Sequence, residues 1–489
     1  MSTESDLSKR ASTLLISALV AAVTTSALET SMVFTAVKAL LEEYGRPTAV
    51  AWLLSGYLLV AAATAAIGGR LGDLFGRRRV LLLMMGGAVI GSLISALSPT
   101  LEGVIIGRSI QGLAGATLPL ALGLAREHIA PRKLNMSVAI ITSSAALGSG
   151  VGMILGGVLV DTGGWRHLFV ASAAIAAAFV AYGLWAIPKS RSAPTVQKLD
   201  LLGGVLFVPG VAGALLAISS GRGWNWDPRF WGLLAASLIV LAVWIRHELR
   251  HPDPLIDVRL LKDPRIALTN ATFAVAAIGV LQFSQLMLLL LQQPVWTGVG
   301  LGLTATMAAA LKAPGNFITT FASPLWGHLG DRFGPQRIIV GGMAVVGAGC
   351  LMLMFTHNSL WATVAIALVG SLGVASSFAA VPMILARAAP IGRTSETIGL
   401  ADVLRSAGQA VGSQLMLMIL ATTTISDPAR GAAEFPTAHA YQLMFGTMAG
   451  ACVLTMLLAL TIPHPRKPTA PSATADEGAG AAGRSDLAA

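Results

Sequence analysis

Apolar runs of about 20 residues recur fourteen times along this 489-residue chain, and very few folds accept such a pattern. At a rise of about 1.5 Å per residue, each run as a helix crosses the roughly 30 Å of hydrocarbon in a bilayer. A helix also satisfies its own backbone hydrogen bonds, which hydrocarbon cannot do for it. The runs fall at 12–36, 48–69, 80–98, 101–125, 136–160, 167–187, 201–219, 229–246, 266–291, 301–326, 338–356, 360–386, 395–421 and 441–463. With 55% hydrophobic and 11% charged residues, and a mean hydropathy of +0.73, the chain reads as an all-α integral membrane protein with 14 transmembrane helices. The opening MSTESDLSKR leads into the first run without a cleavage signal, so a first membrane helix is expected there rather than a removed leader.

The net charge of +10 does not point to nucleic acid, because the bases sit in short turns between apolar runs and form no basic face. They report orientation instead. With the N-terminus in the cytoplasm, 24 of the 33 Lys and Arg residues fall in cytoplasmic segments, six in outer loops and three within the runs. The expected location is therefore the cell membrane, with both termini cytoplasmic and a disordered tail over 464–489. Cys350 and Cys452 lie inside apolar runs, so no disulfide framework is implied. The eight histidines are read as scattered, with no pair at metal-ligand spacing on one helix face, and no metal is expected. No GxxxxGK[ST] occurs, so neither ATP nor another cofactor is expected to drive the chain.

One charged turn is written twice. GRLGDLFGRRRV at 69–80 returns as GHLGDRFGPQRI at 327–338 with seven of twelve positions identical. Gly69, Gly72, Asp73 and Gly76 recur as Gly327, Gly330, Asp331 and Gly334. A turn that only obeyed the positive-inside bias would not repeat its Asp and Gly positions. The copies follow the second and the tenth runs, an offset of eight. Two six-helix bundles with two further helices inserted between them account for that offset. The implied layout is a cytoplasmic N-terminus (1–11), an N-terminal six-helix bundle (12–187), a linker with two additional helices (188–265) and a C-terminal six-helix bundle (266–463). Repeated bundles around a hinged cleft are the architecture of alternating-access transporters.

These residues resemble the major facilitator superfamily, and within it the fourteen-helix drug:proton antiporter branch, over about residues 12–463. Gly69, Gly72, Asp73, Gly76, Arg77 and Arg78 match the superfamily's turn between helices 2 and 3. GRSIQGLAGA at 107–116 is similar to its fourth-helix motif, with Arg108, Gln111 and Gly112 in place. GSGVGMILGG at 148–157 resembles the antiporter motif through Gly148, Gly152, Gly156 and Gly157, with Met153 where that motif carries proline. The resemblance implies that the glycine helix packs between the halves and limits leak, although glycines four apart also serve simple helix contact. In the first helix, Glu29 stands where the branch carries an aspartate.

Ionisable residues in hydrocarbon cost several kcal/mol and are functional candidates. The chain has Glu29, Arg108, Lys312, Asp402 and Arg405. By helical rise, Glu29 and Arg108 lie at similar depth, and an ion pair or water-bridged pair is expected if both face one cleft. Two roles fit Glu29: a proton-coupling carboxylate whose balance Arg108 sets, or half of a permanent pair that only orients helices. In the second half, Lys312 is expected to reach Asp402, with Arg405 competing from the same helix face. Pro314, Gly315 and Asn316 are expected to break the tenth helix. Trp52, Tyr57, Phe283, Met287 and Met307 either line an adaptable pocket or simply pack. The expected activity is proton-coupled export of hydrophobic small molecules such as drugs, antibiotics or secondary metabolites. The alternatives are a symporter for a neutral or anionic metabolite and a non-transporting sensor; no enzymatic constellation is visible. The expected partners are the lipid bilayer, protons and a small-molecule substrate, with the oligomeric state left open.

Overall fold

The computed structural model describes residues 9–463 except 46, 191–199, 222–223, 225, 253, 255, 357–358, 391–393 and 427–433. The tail after 463 lies outside the described residues. The first half contains helices α1 (Lys9–Tyr44), α2 (Pro47–Phe75), α3 (Arg77–Leu97), α4 (Leu101–Gln111), α5 (Thr117–His128), α6 (Pro131–Gly163) and α7 (Trp165–Ala186). A hairpin of α8 (Leu201–Ser220) and α9 (Pro228–Arg250) follows. The second half contains α10 (Pro264–Ile278), α11 (Phe283–Gln292), α12 (Ala305–Phe333), α13 (Pro335–Thr356), α14 (Leu360–Ala388), α15 (Thr394–Leu420) and α16 (Ala438–Thr461). A two-stranded antiparallel ribbon, β1 (Thr424–Ser426) with β2 (Glu434–Pro436), pairs Ile425 with Phe435 before α16.

Local chemistry sets these boundaries. Thr100, Asp200, Asp227, Asp263, Thr304 and Thr437 each stand just before a helix and accept a hydrogen bond from its first turn. Pro131, Pro228 and Pro264 occupy first helical positions, where a missing N–H costs nothing. The two copies of the charged turn fold alike. Gly76 (φ 88°) separates α2 from α3, and Gly334 (φ 93°) separates α12 from α13. A side chain at either position would strain the backbone.

All fourteen expected spans fall on helix, and among the described residues eleven helices are long and apolar enough to cross a membrane, so the count of fourteen is not reached by that measure. Exposed apolar side chains run along several helices: Leu83, Ile90 and Leu97 on α3, Trp231, Leu238 and Ile239 on α9, and Leu454, Leu457 and Leu460 on α16. Water would penalise such rows, whereas hydrocarbon does not. Helix α12 is continuous through Pro314, which corrects the expected break. The interruptions lie elsewhere, at the 3₁₀ turns Gly112–Ala116 between α4 and α5 and Val280–Gln282 between α10 and α11. In the first, Gly112 and Gly115 press on α2, where added Cβ atoms would come within 2.6 Å of the Tyr57 carbonyl and 2.5 Å of Ala61. Close backbone contact, more than local propensity, explains that tightened turn.

Candidate functional site

Helices α1, α2 and α4 bring Glu29, Tyr57, Arg108 and Gln111 together. Glu29 and Arg108 are each 1% exposed. Arg108 Nη1 donates to Gln111 Oε1 at 2.7 Å and reaches the backbone carbonyl of Glu29 at 3.5 Å. Its guanidinium carbon stands 4.1 Å from the centre of the Tyr57 ring. Gln111 Nε2 donates in turn to Ser92 Oγ at 2.5 Å, and the Tyr57 hydroxyl shares a 2.7 Å hydrogen bond with Thr30. Both Glu29 carboxylate oxygens are left without a hydrogen-bond partner among the described residues. The expected direct ion pair is therefore not formed. Arginine's planar fork is already held by Gln111, three residues along its own helix, and by the aromatic face.

The second-half cluster separates into two parts. Lys312, 1% exposed, donates from Nζ to Ser371 Oγ at 3.0 Å, and Ser371 passes its own hydrogen bond to the Ala367 carbonyl at 2.8 Å. Asp402 is exposed and takes hydrogen bonds from Arg405 Nε and Nη2 at 2.9 and 2.7 Å. Arg405 also donates to Gln409 at 2.5 Å. The expected Lys312–Asp402 contact is corrected, because a pair three residues apart on α15 forms without bringing two helices together. The pocket-lining expectation divides similarly. Phe283 and Met287 are buried packing residues, with Phe283 against Gly370, while Met307 is exposed.

The glycine helix α6 has two working faces. Added Cβ atoms at Gly148, Gly152 and Gly156 would come within 2.8 Å of backbone oxygens of Thr24, Leu28 and Met32, so this face lies on α1 within the same half. Gly157 faces α12 of the other half, 2.7 Å from the Ala305 carbonyl by the same measure. The expectation that all four glycines lie between the halves is corrected to Gly157 alone. Buried Met153 shares that seam, its sulfur 4.0 Å from the Asn316 amide nitrogen.

Sequence reading overlooked Asp161, one turn beyond Gly157. Its carboxylate accepts from the backbone N–H groups of Ala305 at 2.9 Å and Thr306 at 2.7 Å, while Thr304 Oγ1 accepts from Met307 N–H at 3.2 Å. Three orphan donors of α12 are thus satisfied, two of them by an acid from the opposite half. A second crossing bond joins Ser55 of α2 to Ser413 Oγ at 2.7 Å and to the Ala410 carbonyl at 3.0 Å on α15.

At the repeated charged turns the described polar contacts stay within each half. Arg77 donates to the Gly123 carbonyl at 2.9 Å and lies 3.8 Å from Glu127, and Arg387 pairs with Asp331 at 2.6 Å. Gly72 packs against Leu120 and Arg77, whereas Gly69 and Gly327 face open space. The side chain of Asp73 lies outside the described residues. The reading of the histidines also needs correction: His247 and His251 stand one turn apart at the end of α9, with ring centres 5.2 Å apart. Their four-residue spacing was visible in HELRH and signalled the pair.

The family model described as Major Facilitator Superfamily matches residues 19–200, 201–413 and 315–487. The chain belongs to the major facilitator superfamily. Among curated members, it is 29% identical over 336 residues to the multidrug resistance protein B homolog of Mycobacterium tuberculosis, covering 66% of this chain and 59% of that protein. It is 27% identical over 386 residues to the tetracenomycin C resistance and export protein of Streptomyces glaucescens, covering 76% and 68%. The chain thus spans less than two thirds of the length of the first of these relatives. Among solved structures, a bacterial homolog of the human lysosomal transporter Spinster, in an inward-facing and unoccupied conformation, superposes with a TM-score of 0.63 at 15% identity, covering 93% of this chain and 97% of that one. That likeness establishes the superfamily's helical membrane fold.

Proposed function

We propose that the chain is a proton-coupled antiporter that exports hydrophobic small molecules, drugs or antibiotics among them, across the cell membrane. The observation that carries this reading is the Glu29 carboxylate, buried among the helices with both oxygens unpartnered among the described residues, beside a tethered Arg108. A carboxylate held ready between burial and a fixed positive charge takes up or loses a proton when its surroundings change. Relatives named for multidrug resistance and antibiotic export support the substrate class. In this reading fourteen helices form two six-helix bundles over 12–187 and 266–463, with the α8–α9 pair over 188–265 inserted between them and both termini in the cytoplasm. The cross-half bonds from Asp161 and Ser55 then lie towards the outer face, and the structure corresponds to a state closed outside.

The test is transport by the purified chain in sealed vesicles under an imposed pH gradient, with a panel of lipophilic compounds and Glu29→Gln alongside. Uphill movement opposite to the protons, lost in Glu29→Gln while the variant folds and binds, supports antiport. Movement in the direction of the protons favours instead a symporter, the reading to which Met153 in place of proline points.

A further inference from the structure

At the ends of the α8–α9 hairpin, three metal-ligating side chains converge outside the transport machinery. Asp200, His247 and His251 each present a ligand atom within 4.8 Å of the others. Asp200 is the N-cap of α8: its Oδ1 accepts from Gly203 N–H at 2.9 Å and lies 2.8 Å from His247 Nε2. Its side chain is almost wholly enclosed, with 4% of the residue exposed, and Oδ2 has no hydrogen-bond partner among the described residues. Nδ1 of His251 is likewise buried and unpartnered. Two buried lone-pair donors without partners cost free energy unless something fills the space between them. Gly203 packs closely here, since a Cβ on it would stand 2.5 Å from Glu248 Oε1 and 2.6 Å from Asp200 Oδ2, so only glycine leaves both carboxylates their places.

We propose that Asp200, His247 and His251 form a divalent transition-metal site, suited to Zn2+, that fastens the start of α8 to the end of α9. Two imidazoles and one carboxylate are a donor set that zinc accepts at about 2.0–2.2 Å in tetrahedral geometry. Ligand atoms in such a shell lie about 3.3 Å apart, so the present spacing closes with small side-chain rotations. His247 and His251 also line an open groove of about 390 Å³ with Arg246 and Arg250, from which water or a small anion would complete the shell. Helix α8 touches both α2 and α15, so the fastened hairpin bears on helices from each half.

The same five residues, HELRH, spell the spacing in which a glutamate between two zinc-binding histidines acts as a general base. Glu248 does not occupy that role here. Its Oε1 accepts from the Trp244 indole at 3.0 Å and its Oε2 from the Ile256 N–H at 3.2 Å, and the residue is fully buried. The site is therefore one for holding the hairpin, with its glutamate spent on the α9 end and the following loop.

The test is Zn2+ binding by the full chain in detergent after chelator stripping, by competition with a chromophoric chelator, beside His251→Gln and Asp200→Asn. Asparagine keeps an N-cap oxygen for Gly203 and so preserves the helix start. The expected result is one Zn2+ per chain, with affinity at least about 100-fold lower in either variant, the upper range for losing even a supporting group around zinc. A chain that holds no Zn2+ against the chelator, or variants that bind as the parent does, overturn the site. Should the variants fail to fold, Co2+ added to the parent decides: strong visible bands of tetrahedral nitrogen and oxygen ligation support it, and their absence overturns it. Neither readout depends on transport, so failure here leaves the antiport reading untouched.

Discussion

The two sets of intramembrane charges solve the same problem in opposite ways. In the first half, Arg108 is held by Gln111 and Tyr57, and the carboxylate of Glu29 is left buried and unpaired. In the second half, Asp402 and Arg405 neutralise each other along one exposed face of α15, and Lys312 rests on a serine hydroxyl. The contrast teaches that depth in the membrane does not choose partners. A contact within one helix needs no second helix, and the carboxylate without such a local partner is the one left unpaired; in the proposed reading it is the group that exchanges a proton.

This difference can be broken by experiment. The largest effect is expected at Glu29→Gln, which should lower gradient-driven transport by about 100-fold or more, the scale of a lost proton-transfer group, while ligand binding persists. A variant that still pumps uphill removes the distinction between the halves. Gly157→Val places bulk against the Ala305 carbonyl, and overpacking of that kind costs about 1–3 kcal/mol. A drop in the melting temperature of the purified protein should report it, with the substitution Gly69→Ala, which meets open space, as the near-silent control. Asp161→Ala removes an acceptor from two N–H groups of α12 and should weaken the seam between the halves by about 0.5–2 kcal/mol. Faster thiol labelling of Thr306→Cys in that background would show the loosening, and an unchanged rate would mean that Asp161 does not hold the seam. The smallest effect belongs to Asp402→Asn, whose exposed pair with Arg405 is expected to contribute about 0–1 kcal/mol and leave transport near that of the parent. If Asp402→Asn stops transport while Glu29→Gln does not, the comparison is reversed.

Much of the scaffold was legible as sequence because hydrocarbon imposes simple rules. Apolar runs placed the helices, and glycines in the repeated turn marked backbone that must take positive φ, as Gly76 and Gly334 do. The candidate charges were legible for the same reason, since each stands within an apolar run. Their partners were not. Gln111 over Glu29 for Arg108, and Arg405 over Lys312 for Asp402, depend on side-chain direction and on which helix faces touch. Pro314 inside an unbroken α12, and the 3₁₀ turn at Gly112–Ala116, show the same limit from the backbone side: packing against neighbours overrode local propensity. The sequence by itself determined the membrane character, the helix order, the duplicated turn and the residues able to carry charge, because solvent transfer and backbone geometry act residue by residue. Only the tertiary structure decided that Asp161 caps a helix of the opposite half, that Gly157, unlike Gly148, Gly152 and Gly156, faces that half, and that Asp200 meets His247 and His251. Those contacts join residues 47 to 148 positions apart, and proximity across such distances belongs to the packing of helices rather than to any local rule.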